Sequence, residues 1–210
     1  MSGGRGHAAP GRNVGAAPGD AQDGFDGSYT IMYHQNRPHE QTPSPLSAYG
    51  WEKPTAVPNV DLRKRHFTTQ TLNPRGGMPI NSRIPMLFND DICISIAHPD
   101  QPDDIYFNNA DADELIFIFE GSGILRSVLG DLRFEKDDYL YIPKGLIYRL
   151  IPDENVPQYW LSVECYDGMK LLNQWRNKVG QLRMDAPYCH RDFRKPNFVG
   201  PMDEKIRRTI

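Results

Sequence analysis

The sequence predicts a mainly β fold: a jelly-roll sandwich or barrel with an irregular N-terminal arm and one or two short helices. From residue 83 onward, short apolar runs recur at intervals of about 8–12 residues, the spacing typical of small sandwiches and barrels. Clusters of Gly, Pro and Asp separate these runs and are typical of tight turns. A length of 210 residues allows one such domain with tails.

The apolar runs have the period of strands. Between residues 92 and 97, three isoleucines alternate with Cys93, Ser95 and Ala97, which is a period of two. We therefore predict the barrel over residues 83–167. In its last strand, Leu161, Val163 and Cys165 are expected to face inward. The other predicted strands are Ile105–Phe107, Leu115–Phe119, Ile124–Leu129, Leu132–Phe134, Tyr139–Ile142, Leu146–Ile151 and Tyr159–Cys165.

The segments on either side of the barrel have a different composition. Residues 1–28 contain eight of the eighteen glycines and few apolar side chains, so we expect a disordered leader there. Residues 29–82 are rich in proline and aromatic residues and are predicted to form an irregular arm on the barrel or on a neighbouring subunit. Residues 168–210 are predicted to hold a short helix and a connector. The helix is inferred from the spacing of Leu171, Leu172, Trp175 and Val179.

The overall composition limits the functional classes. A net charge of −3 and a pI of 6.1 argue against a general nucleic-acid-binding protein, which needs clustered basic residues. No apolar run reaches the roughly 18 residues of a membrane span, and the N-terminus lacks a secretory apolar region. Three scattered cysteines are too few for a disulfide framework, which favours the cytoplasm, with Cys93 and Cys165 as buried apolar residues.

Two motifs carry most of the chemical information. Six residues separate Glu114 from Gly121, and two residues separate the turn Pro143-Lys144-Gly145 from Tyr148. This spacing resembles the skeleton of the cupin barrel, which is a small jelly roll. In cupins, the first motif places His-x-His before such a Glu, and the second places a His where Tyr148 stands. The turns of both motifs are therefore present here.

The metal-binding positions of the cupin motifs are not filled by histidine. Asn108 and Asn109 lie where His-x-His is expected, and soft divalent ions such as iron prefer imidazole nitrogens together with carboxylates. We therefore assign no catalytic and no metal-binding residue to this chain. Asn109, Glu114 and Tyr148 remain as a residual pocket. Glu114 is either a hydrogen-bonded structural acid or a pocket residue that faces the other two.

Several longer stretches carry a second resemblance: residues 32–34, 63–66, 108–117, 120–123, 138–145, 147–150 and 186–192. Together they resemble the N-terminal barrel of bacterial homogentisate 1,2-dioxygenases. The resemblance implies O2-dependent opening of homogentisate to maleylacetoacetate, in tyrosine and phenylalanine breakdown, on Fe(II) held by two His and one Glu of a C-terminal half. No family ligand carries over to this chain, because the matched region is the half without iron. Trimers or hexamers are also implied.

These observations lead to a main hypothesis and two alternatives. The first is a scaffold and oligomerisation half of an oxidoreductase, inactive alone, whose catalytic half is missing by truncation or is a separate polypeptide. The second is a stand-alone, metal-free cupin module that binds a small aromatic acid or a protein partner. The third, a metal-dependent single-cupin enzyme such as an isomerase, is disfavoured by the absent histidines. No nucleic acid or membrane is expected as a partner.

Overall fold

The computed structural model describes residues 54–57, 60–61, 63–73, 75–178 and 180–198, together with the backbone of four short strands nearer the termini. Apart from the backbone of Asn13–Ala16, the predicted leader lies outside the described residues, as does part of the predicted arm. No helix in these ranges is long and apolar enough to cross a membrane. Their helical residues form three single turns of 3₁₀ helix: Thr69–Thr71, Asn173–Trp175 and His190–Asp192.

Strands make up most of the regular structure. Eight of them, β5 to β12, coincide with the eight apolar runs of the sequence. The strands are β1 (Asn13–Ala16), β2 (Ile31–His34), β3 (Thr42–Pro43), β4 (Ile84–Phe88), β5 (Ile92–Ala97), β6 (Tyr106–Asn108), β7 (Asp113–Glu120), β8 (Gly123–Ser127), β9 (Gly130–Phe134), β10 (Tyr139–Ile142), β11 (Tyr148–Pro152), β12 (Tyr159–Cys165) and β13 (Arg207–Thr209).

Two sheets form the body of the protein. A five-stranded antiparallel sheet has the order β10-β7-β12-β5-β4, and a six-stranded sheet has the order β3-β13-β6-β11-β8-β9. In the second sheet β13 runs parallel to both neighbours, whereas the other pairs are antiparallel. Strands β1 and β2 pair separately. The predicted mainly β, jelly-roll class of fold is confirmed.

The core lies between the two sheets and combines side chains from both. In the six-stranded sheet Tyr148 packs on Phe107, with ring centroids 4.6 Å apart. Trp160 of the other sheet meets Phe134 edge to face at 5.5 Å. Burial of this apolar surface is the main source of the fold's stability. The buried core comprises Ile80, Ile105, Phe107, Ile116, Ile118, Leu125, Phe134, Leu140, Ile142, Leu146, Tyr148, Leu150 and Trp160.

The prediction for the inward face of β12 is wrong. Trp160, Ser162 and Glu164 are the buried residues of this strand, and the intervening residues, Cys165 among them, are half-buried on the outer face. The buried face carries the polar Ser162 and Glu164, whereas the outer face is the more apolar one, so the alternation indicated the wrong face. Cys93 is buried, as predicted.

The predicted helix of about three turns near residue 175 is also wrong. Only the 3₁₀ turn Asn173–Trp175 forms there, and the chain then folds back so that Arg176 and Leu182 form a β-bridge. Gly180, with a φ of 82°, lies in the turn of this hairpin rather than after a helix. Leu171 and Leu172 are 39% and 61% exposed, so the leucines of the expected apolar stripe are not packed in a core. Short helices without such packing are unstable.

The described part of the arm contacts the barrel at one end of the five-stranded sheet. The hydroxyl groups of Thr69 and Tyr159 are 2.7 Å apart. The ring nitrogens of His98 lie 3.1 Å from the backbone carbonyl oxygens of Gln158 and Thr69. His98 also stacks on Tyr159, with ring centroids 4.9 Å apart. Hydrogen bonds of Thr69 with His98, just after β5, and with Tyr159, at the start of β12, thus attach the arm to the barrel.

A glycine holds the C-terminal connector against the barrel. Gly130 has a φ of 116°, and a Cβ at this position would lie 2.2 Å from the carbonyl oxygen of Asn197. The neighbouring Asp131 exchanges two backbone hydrogen bonds with Asn197, at 3.1 and 2.7 Å. Glycine is therefore required at this position both by the backbone conformation and by the close approach.

Substitution of Gly130 by alanine is expected to destabilise the protein by about 2–4 kcal/mol, because backbone strain adds to a backbone clash. Gly180→Ala is the matched control, since its φ of 82° is also positive but nothing lies within 4 Å of the new Cβ. It should lose only about 1–2 kcal/mol. Urea denaturation measures both losses, and equal losses would contradict the role of the contact with Asn197.

Candidate functional site

Five polar side chains meet between the two sheets, and we refer to them as the polar cluster. Three come from the five-stranded side: one precedes β4, one lies near the start of β7 and one near the end of β12. The other two come from the six-stranded side, after β6 and at the start of β11. Four of the five are buried, and the asparagine is half-buried. The cluster consists of Arg83, Glu114, Glu164, Asn109 and Tyr148.

The guanidinium group of Arg83 is the centre of the cluster. Its Nη1 donates to one oxygen of Glu114 at 3.3 Å and to one oxygen of Glu164 at 3.4 Å. Its Nη2 donates to the second oxygen of Glu114 at 3.1 Å and to the hydroxyl of Tyr148 at 3.4 Å. Arg83 therefore binds Glu114 through both nitrogens and bridges it to Glu164. Such two-point pairing suits the planar guanidinium group.

Asn109 makes a second bridge between the same two carboxylates. Its Nδ2 donates to Glu114 at 3.0 Å and to Glu164 at 2.9 Å. Its Oδ1 accepts the backbone N–H groups of Asp111 and Ala112, which orients the amide toward the carboxylates. The Tyr148 hydroxyl donates to the remaining oxygen of Glu114. Glu114 therefore accepts hydrogen bonds from three different side chains.

The charges of the cluster are fixed by these contacts. Burial acts to raise the pKa of Glu114, but the Arg83 charge and the three donors outweigh it and lower that pKa below its ordinary value. Burial and the neighbouring carboxylate of Glu114 raise the pKa of Tyr148 well above its ordinary value. At neutral pH, Arg83 is therefore a cation, Glu114 an anion and Tyr148 a neutral donor.

The structure brings together the three residues of the predicted residual pocket. Asn109, Glu114 and Tyr148 are joined by direct hydrogen bonds, and their role as a pocket remains a prediction. The sequence analysis missed Arg83 and Glu164, which complete the cluster. A signal for Glu164 existed, because it stands opposite Glu114 on the neighbouring strand once β12 is placed with the correct face inward.

The polar cluster does not fit the Fe(II) that the cupin motifs imply. Non-haem iron takes imidazole nitrogens together with a carboxylate, and the cluster contains no imidazole. A permanently charged guanidinium lies between its two carboxylates, where a metal ion would be repelled. Elsewhere in the described part of the chain, no group of three or more His, Cys, Asp or Glu is arranged to hold a metal.

A second buried carboxylate fixes the turn of the second cupin-like motif. Asp113 accepts the backbone N–H of Lys144 at 2.7 Å and that of Met169 at 2.6 Å, and also the hydroxyl of Tyr141 at 3.0 Å. It is 1% exposed. Asp113 therefore ties the Pro143-Lys144-Gly145 turn and the loop after β12 to the start of β7, directly beside Glu114.

Asp113→Ala is expected to lower the free energy of unfolding by about 3 kcal/mol, because it leaves two backbone N–H groups without their acceptor. Asp113→Asn keeps one acceptor oxygen and should lose about half as much. Thermal or urea unfolding of the two variants measures the difference. Losses below about 1 kcal/mol for both variants would show that the turns hold without this carboxylate.

Comparison with known proteins gives limited similarity. No protein-family model matches the chain. A putative dioxygenase of Saccharolobus solfataricus is 30% identical over 177 residues, which covers 83% of this chain and 44% of that protein. The chain therefore spans less than half of the length of this relative.

Solved structures give similar partial matches. A cupin-2 domain protein of Shewanella frigidimarina has 16% identity and a TM-score of 0.38, over 46% of this chain and 86% of that one. A protein of Klebsiella pneumoniae with a double-stranded β-helix domain has 16% identity and a TM-score of 0.41, over 50% of this chain and 91% of that one. By sequence, this chain is similar to the putative dioxygenase of Saccharolobus solfataricus.

Proposed function

We propose that this chain is the scaffold barrel of a cytoplasmic cupin-type dioxygenase that resembles homogentisate 1,2-dioxygenase. In this proposal the barrel holds no iron. It supports assembly and frames a catalytic half, from the same or another polypeptide, which opens the ring of homogentisate with O2 to give maleylacetoacetate. The Fe(II) would be bound by residues of that catalytic half, and none of the residues of the polar cluster takes part in the chemistry.

The observation that carries the proposal is the partial match to the putative dioxygenase. The alignment covers 83% of this chain but only 44% of the relative. More than half of the relative therefore has no counterpart here. The donor set of the polar cluster supports the same division of labour, because it lacks imidazole and already contains the cation Arg83. A dioxygenase built on this chain would need iron ligands from elsewhere.

An oxygen electrode tests the proposal. The purified 210-residue chain is incubated with Fe(II), ascorbate and homogentisate, and we expect oxygen uptake no faster than in a protein-free control. The genomic DNA around the coding region is then searched for a second barrel with His-x5-Glu and a later His. Mixing that barrel with the chain should restore uptake. Turnover by the chain alone, or no gain on mixing, would contradict the scaffold function.

The outer face of the five-stranded sheet supports assembly. It carries large apolar or aromatic side chains that are open to solvent, including Leu87 at 65%, Tyr139 at 67% and Tyr141 at 47% exposure. Large exposed apolar patches commonly mark protein interfaces. We propose a trimer or hexamer of the chain, as in the family that it resembles. Light scattering coupled to gel filtration should give that mass, and a monomer at all concentrations would contradict the assembly.

The alternative is a metal-free module that binds a small aromatic acid. The geometry gives it less support, because Arg83, Glu114 and Tyr148 are 7% exposed or less and already bind one another. Only Asn109 is partly open to solvent. A saturable rise in melting temperature with homogentisate would favour this module. No rise across a panel of small aromatic acids would favour the scaffold.

A further inference from the structure

We propose that Arg83 is a built-in counter-ion, whose guanidinium group occupies the place of a bound cation between Glu114 and Glu164. The barrel would thus keep a pair of inward-facing carboxylates without depending on a metal ion. The proposal concerns how this chain holds its own interior together. It goes beyond the scaffold function, and its test does not depend on dioxygenase activity.

The two carboxylates of the polar cluster face each other across neighbouring strands. Glu114 on β7 and Glu164 on β12 lie directly opposite each other in the register of the sheet. Both are buried, at 1% and 4% exposure. Two like charges in this arrangement repel each other, and burial deprives them of the water that would screen the repulsion. A cation between them therefore stabilises the folded state with both groups ionised.

Arg83 supplies a cation between the two carboxylates. Its Nη1 lies 3.3 and 3.4 Å from the facing oxygens of the two carboxylates, so a single nitrogen bridges them. Arg83 itself is 7% exposed and comes from the segment just before β4, outside both carboxylate strands. Its charge is permanent at physiological pH, unlike that of a histidine. The guanidinium thus bridges the two carboxylates, and its single positive charge balances one of them.

The remaining contacts of the two carboxylates come from hydrogen-bond donors and need no metal. Asn109 presents its N–H group, not its oxygen, to both carboxylates, and Tyr148 donates its proton to Glu114. Removal of the guanidinium alone would leave two carboxylates around a cavity. Oxygen-rich sites of this kind suit hard divalent cations such as Mn²⁺. The inference therefore predicts a cation site in a variant that lacks Arg83.

Arg83→Ala tests this inference, with Mn²⁺ as the probe. In about 1 mM Mn²⁺ we expect the melting temperature of Arg83→Ala to rise by about 5 °C or more, as for a ligand that binds only the folded state. Electron paramagnetic resonance should show one Mn²⁺ bound per variant chain. The wild type should shift by less than about 1 °C. The triple variant Arg83→Ala, Glu114→Gln, Glu164→Gln is the matched control and should bind no Mn²⁺.

If Arg83→Ala does not fold in the absence of metal, Mn²⁺ or methylguanidinium should restore its circular dichroism spectrum. Methylguanidinium supplies the deleted head group and should stabilise the variant independently of any metal. A variant that gains nothing from either cation, folded or unfolded, would overturn the inference. That result would not contradict the scaffold function, which is tested separately by the oxygen-uptake measurement. Conversely, oxygen uptake by the wild-type chain would refute the scaffold function and leave the role of Arg83 open to this test.

Discussion

Arg83→Met is expected to lower the free energy of unfolding by about 3–5 kcal/mol, the usual effect of removing one partner of a buried ion pair. Methionine has a similar length and fills much of the space, so the loss reports the charge and the hydrogen bonds. Glu114 and Glu164 would then be buried without a counter-ion. Urea denaturation at neutral pH measures the loss.

Two control variants separate the effect of burial from the effect of charge. Arg133→Met breaks an ion pair with Asp153 whose arginine side chain is 57% exposed, and it should cost less than about 1 kcal/mol. Arg83→Met combined with Glu114→Gln and Glu164→Gln should regain part of the stability, because no buried charge then lacks a partner. A small loss for Arg83→Met, equal to that for Arg133→Met, would contradict the central position of the guanidinium.

Stability should also decrease with rising pH through the titration of Asp103. This carboxyl is completely buried, and burial raises its pKa to about 7, although the N–H groups of Leu150 and Ile80 and the charges of Arg83 and Arg149 oppose the rise. The pKa is higher in the folded than in the unfolded chain, where it is near 3.8. The proton therefore stabilises the fold below pH 3.8, and this contribution of at most about 4 kcal/mol is lost as the pH rises through 7.

Asp103→Asn isolates this contribution, because an amide does not titrate. We expect the difference in unfolding free energy, variant minus wild type, to increase steadily from pH 4 to about pH 7. Glu114 acts in the opposite direction, since its lowered pKa stabilises the fold above the ordinary pKa and loses that effect as the pH falls. Glu114 is present in both proteins, so its contribution cancels. A difference that does not vary with pH would contradict the titration of Asp103.

The strands of the barrel were predictable because its local signals agree. From β5 to β12, period-two apolar runs alternate with turn-forming residues, so these strands could be predicted without knowledge of the tertiary structure. The facing of β12 was not predictable from its own residues, because half-buried side chains on the outer face are apolar as well. The helix predicted near Trp175 did not form for a related reason, because Leu171 and Leu172 are exposed rather than packed on the barrel.

Part of the polar cluster could also be predicted from the sequence. Motif spacing singled out Glu114, Tyr148 and Asn109, and the last two both donate hydrogen bonds to Glu114. Arg83 belongs to no motif, and it precedes Glu114 by 31 positions in the sequence. Its position depends on how β4 joins the edge of the sheet. Contacts made by such long-range pairing do not affect the local periodicity of the sequence. The role of Arg83 could therefore be recognised only in the structure.

The iron content of the purified chain tests the central claim most directly. The wild-type protein is incubated anaerobically with excess Fe(II), desalted and analysed for metal, beside a protein of known iron stoichiometry. We expect only background iron, because Arg83 already lies between Glu114 and Glu164 and no imidazole is available in the polar cluster. Stoichiometric iron that survives desalting and disappears on Glu114→Gln would contradict it.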